Sequence, residues 1–382
     1  MDRAATRRAV LTGCGADERT CDEVMAFSDA RDRPIPDRVP VLPLPDEAHV
    51  EAWREYEAAA RRDGARDELR RRFAQVRFPI DAGISQHPSY RAATLNGDFS
   101  AADSFEPGLR LHRPGEMSLE VFPSIAGAIP VLTASDRDDF VALVQAFTER
   151  NEPVDVPPSV GACIVSGLNN WDRIARHRAR WEADGGPERE GWADQFKRLA
   201  ARKDLYQDRL ILLSRGPYSG LSAREVGLDE DEWLATSYVI RREHEFTHYF
   251  VYRLCGALRL TILDELLADF VGLVSAFGRY PRELANRFLG VESYPERRPG
   301  GRLEHYVRNT PLTPGALQAL SCLAWRSTAN LEAVARDRAA DLGTIEGLAS
   351  VALAIGRLTL EECAADDMPV RVSAAVTRAQ DV

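Results

Sequence analysis

The sequence predicts an α+β molecule, mostly helical, with a small mixed sheet in its N-terminal part. Three observations predict it. Alternating apolar text bounded by Pro and Gly is confined to residues 109–133, 154–164 and 208–214, the signature of short strands. From 233 onward the apolar residues recur every three or four positions with few breaks, which is the period of helices. With 382 residues, 45% of them apolar and 28% charged, the chain can bury one large core or two modest ones. A soft boundary near 205 divides a mixed α/β part, 1–205, from a helical part, 206–382, with the cleft between them as the expected place for a site.

Residues 6–30 suggest one or two short helices, and 33–45 form a Pro-rich connector. Within the first stretch, Arg7-Arg8 followed by Cys14 imitates an export signal. Only Ala9, Val10 and Leu11 separate Arg8 from Thr12, whereas an export signal needs roughly 7–15 apolar residues there. A cytoplasmic location is therefore expected. No stretch approaches the roughly 18 apolar residues of a membrane span, so no membrane partner is expected. Six cysteines stand at 14, 21, 163, 255, 322 and 363, none as C-x-x-C, and they read as reduced thiols of a cytosolic protein.

Residues 46–77 are helical, with Trp53, Tyr56, Leu69 and Phe73 on an apolar face. The cluster Arg61, Arg62, Arg66, Arg70, Arg71 and Arg72 reads as a solvated face balanced by acidic neighbours, ahead of an anion site. The irregular, aromatic and polar text of 78–90 suits a loop lining a site, and His87 is its one candidate. Two or three strands follow in 109–133, then a helix over 136–150, an extended segment over 154–164, and helices over 171–181 and 192–202 around the Gly185-Gly186-Pro187 break. The clearest strand is 208–214, before a turn at 215–220. The net charge of −10 disfavours nucleic-acid binding, which relies on a positive field. Neither a phosphate-binding G-x-x-x-x-G-K-[ST] loop nor a G-x-S-x-G elbow is present, so NTPase and serine-hydrolase chemistry have no support.

The stretch that carries chemistry is His244-Glu245-Phe246-Thr247-His248, inside an unbroken helix over 233–255 that closes at Gly256. The helix is apolar on more than one side, so it is buried. Four residues turn a helix by roughly 400°, which places His244 and His248 on one face about 6 Å apart along the axis. Two imidazoles so placed can share a tetrahedral ion. Glu245 points about 100° away, beside the ion, where a carboxylate can take a proton from water. After a short link, a second apolar helix over 261–277 carries Glu265 and Asp269, four apart and on one face, with Thr261 and Asp264 as its N-terminal cap signal. Folded back antiparallel, it brings Glu265 within about a turn of His248, and Asp269 can hydrogen-bond a ligand histidine from behind. The count leaves Asp264 and Asp269 open as ligands in place of Glu265.

H-E-x-x-H followed by E-x-x-x-D on the next helix resembles the gluzincin group of zinc metallopeptidases, of which thermolysin is the best-known member. Thr247 matches the thermolysin-like H-E-x-T-H, and Asp264-Glu265 resembles that group's Asn-Glu pair. The likeness covers about thirty-five residues and departs from the group in two ways: the gap from His248 to Glu265 is short, and the G-x-M-E-N aminopeptidase signature is missing. It implies one Zn²⁺ per chain on His244, His248 and Glu265, with Glu245 as general base and Asp269 and Asp264 supporting them. It also implies a downstream oxyanion stabiliser, for which His305 and Tyr306 are the candidates, with Tyr280 and Tyr218 behind them. By position in the chain, 208–214 corresponds to the edge strand that pairs with an extended peptide in that group; a plain core strand is the competing reading.

Three uses of such a site follow. The first is peptide or amide hydrolysis by activated water. The second applies the same metal and base to a small molecule, as a hydrolase or lyase of a biosynthetic pathway. The third, a scaffold with a fossil site, is opposed by Glu245. A chance motif is opposed by the cost of burying two histidines and two acids without a partner. A di-iron bundle needs a second E-x-x-H, and none of the other histidines has a Glu three residues before it. The substrate is a peptide or a small molecule, and the oligomeric state is not legible.

Overall fold

In the computed structural model, residues 3–30, 35–36, 41–185, 191–259, 261–308 and 310–380 are described. Parts of the expected connector over 33–45, of the Gly185-Gly186-Pro187 break and of the link before Thr261 lie outside them. Helices make up 63% of the chain and the strands form one small mixed sheet, so the class is α+β, mostly helical. The chain divides into two units, Met1–Pro45 with Ser124–Ala126 and Leu221–Val382, and Asp46–Pro123 with Gly127–Gly220. The division thus falls at Leu221 rather than near 205, and the first 45 residues belong with the helical unit.

The unit built on 46–220 holds the sheet. Its strands are β1 (Ser118–Phe122), β2 (Ile129–Ala134), β3 (Ala162–Asn169) and β4 (Gln207–Ser214), in the order β1-β2-β4-β3. β1 pairs antiparallel with β2, β2 parallel with β4, and β3 antiparallel with β4. β2 is buried along its whole length, as its unbroken run of small and apolar residues requires. Trp53, Tyr56, Leu69 and Phe73 pack with Leu132, Leu212 and Phe140 into one core, the Trp53 and Phe73 rings stacking at 5.3 Å. A buried carboxylate needs partners, and Asp208 finds three: Trp53 donates to it at 2.8 Å, Asn170 at 2.6 Å, and Arg173 pairs with it.

Three expectations are settled in this unit. β4 is paired on both sides and is not an edge strand, because β2 and β3 take up its backbone groups. The arginine cluster is a balanced helix face: Arg61 pairs with Glu57, Arg71 and Arg72 with Glu68, and Arg70 with Glu106. His87 caps the helix Pro88–Asn96, its Nδ1 accepting from the Ser89 N–H at 3.2 Å, while its ring stands edge-on to Phe105.

In the other unit the centre is the helix Ile262–Phe277, where every residue from Ile262 to Val274 is buried. Asp229 caps the helix Glu230–Cys255, and Thr261 caps Ile262–Phe277 through its hydroxyl. The two cross in close contact: a Cβ on Gly272 would lie 2.7 Å from the Ile240 carbonyl oxygen, so only glycine admits this approach. Around them lie the helices Pro314–Asp337, Ile345–Gly356 and Leu360–Cys363, and the last described helix is Met368–Gln380, within the part expected to be helical.

The Arg7-Arg8 text is folded into the first helix, Arg3–Gly13. Arg7 pairs there with buried Glu361 at 3.1 Å and with Asp29 at 2.7 Å. Cys14 and Cys322 form a disulfide with a Cα separation of 5.8 Å, which corrects the expectation of six reduced thiols. The partners are 308 residues apart in sequence, and only tertiary packing brings them together. Among the described residues, no helix is long and apolar enough to cross a membrane.

Candidate metal centre

The helices Glu230–Cys255 and Ile262–Phe277 bring three ligand-type side chains together. His244 Nε2 and His248 Nε2 are 3.0 Å apart. Glu265 Oε1 is 3.2 Å from His248 Nε2, and its Oε2 is 3.6 Å from His244 Nε2. A tetrahedral ion with bonds of about 2.1 Å separates its ligand atoms by about 3.4 Å, so the triangle has the dimensions of one face of such a tetrahedron. Among the described residues, the other group of comparable spacing is His112 with Asp136 and Asp138. There His112 is exposed, and Asp136 caps the helix Arg137–Thr148.

What lies behind the ligands fixes their orientation. Asp269 accepts from His244 Nδ1 at 3.0 Å, which places the ring's N–H on Nδ1 and leaves Nε2 as a lone pair facing the triangle. Asp269 is in turn gripped through its other oxygen by Arg302, whose Nη1 lies 3.6 Å from Glu265 Oε2. Tyr306 lies close enough to Glu265 for the two to feel each other's charge. Burial alone would push the Glu265 carboxyl up, but His248, His244 and Arg302 around it hold it well below the usual carboxylate range. Burial likewise opposes protonation of His248, and the Glu265 charge overcomes it, holding the imidazole pKa up at about 9. Burial pushes the Tyr306 phenol up, and Glu265 pushes it further.

The family comparison covers this whole arrangement. A family model described as a family of unknown function, DUF7005, matches residues 9–367. The chain belongs to that family. No curated protein and no solved structure matches it. The span matched by the DUF7005 model contains His244, His248, Glu265, Asp269, Arg302 and Tyr306 alike.

Within this DUF7005 chain the other sequence candidates separate clearly. Asp264 is turned away from the triangle: Arg259 binds its Oδ1 at 2.9 and 2.5 Å, and the Thr261 hydroxyl donates to its Oδ2 at 2.9 Å. Glu245 is half-buried, with its charge among those that raise His248. Thr247 is buried and donates to the Glu243 carbonyl at 2.7 Å, a bond within its own helix. The helix Arg302–Val307 brings Tyr306 to Glu265, whereas His305 beside it is exposed. Tyr280 is buried close enough to Asp269 for that charge to raise its phenol further, burial being the larger cause. Tyr218 is a buried residue of the other unit. Sequence reading missed Arg302. Its only local signal was the Gly300-Gly301 pair before it, too little to announce a six-residue helix.

Proposed function

We propose that His244, His248 and Glu265 hold one zinc ion and that the centre performs hydrolysis by activated water. The observation that carries this reading is the triangle of ligand atoms at 3.0, 3.2 and 3.6 Å with Asp269 fixing the His244 tautomer. Two nitrogens and one carboxylate oxygen with an open position are the donor set of a catalytic zinc site. Zinc held there would supply a Lewis acid that makes water acidic near neutral pH and polarises a carbonyl. The chain's own groups then do the rest. The Glu245 carboxylate takes a proton from the attacking water and returns it to the leaving amine. The Tyr306 hydroxyl, close enough to Glu265 to feel its charge, is the candidate donor to developing oxyanion charge.

Peptide or amide bonds are the substrates that the gluzincin resemblance implies. One observation favours the second reading, a small-molecule substrate for the same residues. β4, the strand in the position of a peptide-pairing edge, has partners on both sides. The Cys14–Cys322 bridge is of a kind that persists in oxidising compartments and argues against the cytoplasmic placement expected from the sequence.

Metal analysis of the purified chain beside His244→Ala and Glu245→Gln tests the reading. About one zinc per chain is expected in the wild type and in Glu245→Gln, and none in His244→Ala; amide hydrolysis is expected only in the wild type. A well-folded wild type that takes up no zinc when it is offered would overturn the proposal.

A further inference from the structure

Glu265 and Asp269 lie one turn apart on the same buried helix, with relative exposures of 5% and 1%. Two carboxylates this deep repel each other and lose hydration, so something must hold them there when no metal is bound. Besides the ligand His244, whose two ring nitrogens face them, a second side chain reaches both. Arg302 pairs with Asp269 Oδ2 and stands 3.6 Å from Glu265 Oε2. Asp269 passes the constraint on to His244 Nδ1, and Glu265 passes it to His248.

We propose that Arg302 is the positioning residue of the metal centre: by holding Glu265 and Asp269 together it fixes the His244 ring and keeps the three ligand atoms at coordination spacing before a metal arrives. This rests on the metal reading above. The guanidinium suits the task because its planar fork can meet two carboxylates at once, which a lysine ammonium on a flexible stem cannot do in the same geometry. Its seat is rigid. The guanidinium carbon lies 5.4 Å from the centre of the Phe288 ring, and the backbone just before Arg302 is pressed against the end of the helix Arg282–Leu289. A Cβ on Gly301 would lie 2.6 Å from the Gly290 Cα and 2.6 Å from the Leu289 carbonyl oxygen. Two glycines therefore set where the helix Arg302–Val307 begins, and Arg302 is its first residue.

The test uses the full chain as wild type, Arg302→Lys and Arg302→Gln, with two readouts. Zinc affinity is measured by competition with a chromophoric chelator. In the metal-free protein, the downfield imidazole N–H resonance of His244 is followed by proton NMR and assigned by its loss in Asp269→Asn. Arg302→Gln is expected to bind zinc roughly 10–100-fold more weakly and to lose the resonance, with Arg302→Lys between it and the wild type. Wild-type affinity together with an intact resonance in Arg302→Gln would refute the role. Should circular dichroism show that Arg302→Gln does not fold, the same two measurements on Arg302→Lys decide, and wild-type values there refute it. A wild type that binds no zinc defeats the metal reading alone, since the resonance still reports whether Arg302 holds His244.

Discussion

His248 and Glu265 form the pair on which the metal-free centre depends, and their perturbed ionisation makes that dependence measurable. The His248 pKa is raised from 6.5 to about 9. A group raised on folding stabilises fully below its unfolded value and loses that contribution as pH rises through the folded value. The metal-free protein should therefore lose stability, on the order of 3 kcal/mol, between pH 6.5 and about 9. Glu265 is shifted the other way, so its contribution is present above its unfolded value of 4.5 and disappears in acid. Urea midpoints at pH 6 and pH 9.5, taken with a chelator present and compared with His248→Gln, isolate the histidine. An equal pH dependence in wild type and variant would refute the pairing. At this scale the sequence was most informative about ligands, because a four-residue spacing on a helix is a geometric statement in itself. Arg302 was hidden because it stands 33 residues beyond Asp269, and no local period links an arginine to the carboxylates it holds.

The helices that carry the ligands were legible for a related reason. Glu230–Cys255 and Ile262–Phe277 are long, capped and uninterrupted, and their apolar repeat survives inspection of the text alone. Arg302–Val307 escaped notice because six residues complete fewer than two turns, too few to display a period; its position comes from Gly301 meeting Gly290. The first two helices depend on a similar contact at Gly272. Replacing Gly272 with Ala places a methyl 2.7 Å from the Ile240 carbonyl oxygen and 3.2 Å from its Cγ2, and backbone cannot yield as a flexible side chain does. Overpacking of this kind costs typically 1–3 kcal/mol, and the helices must part in the region that joins Glu265 to the histidines. We expect Gly272→Ala to lower the thermal midpoint and to weaken zinc binding together, as calorimetry with and without zinc would show. An unchanged midpoint would mean that the crossing is looser than its geometry indicates.

For the whole molecule, the strands and the long helices could be read one by one, but their grouping could not. Residues 1–45 belong with 221–382, a partnership carried by Arg7 with Glu361 and by Cys14 with Cys322, pairs more than 300 residues apart for which no sequence window exists. β4 was recognised as a strand, yet its place between β2 and β3 depends on pairings made across the sheet. The bridge has a thermodynamic signature. Closing so long a loop restricts the unfolded chain by an amount worth on the order of 5 kcal/mol in the chain-entropy treatment. The double variant Cys14→Ser with Cys322→Ser should therefore unfold at lower denaturant, and native folding with an unshifted urea midpoint would speak against a stabilising bridge.

The bridge also turns most of the chain into a ring. Residues 46–220, the histidines, Glu265 and Arg302 all lie between Cys14 and Cys322 in sequence. A protease that cuts once anywhere inside that ring opens it without releasing a fragment, so the pieces remain tethered as one covalent molecule until a reductant reaches the bridge.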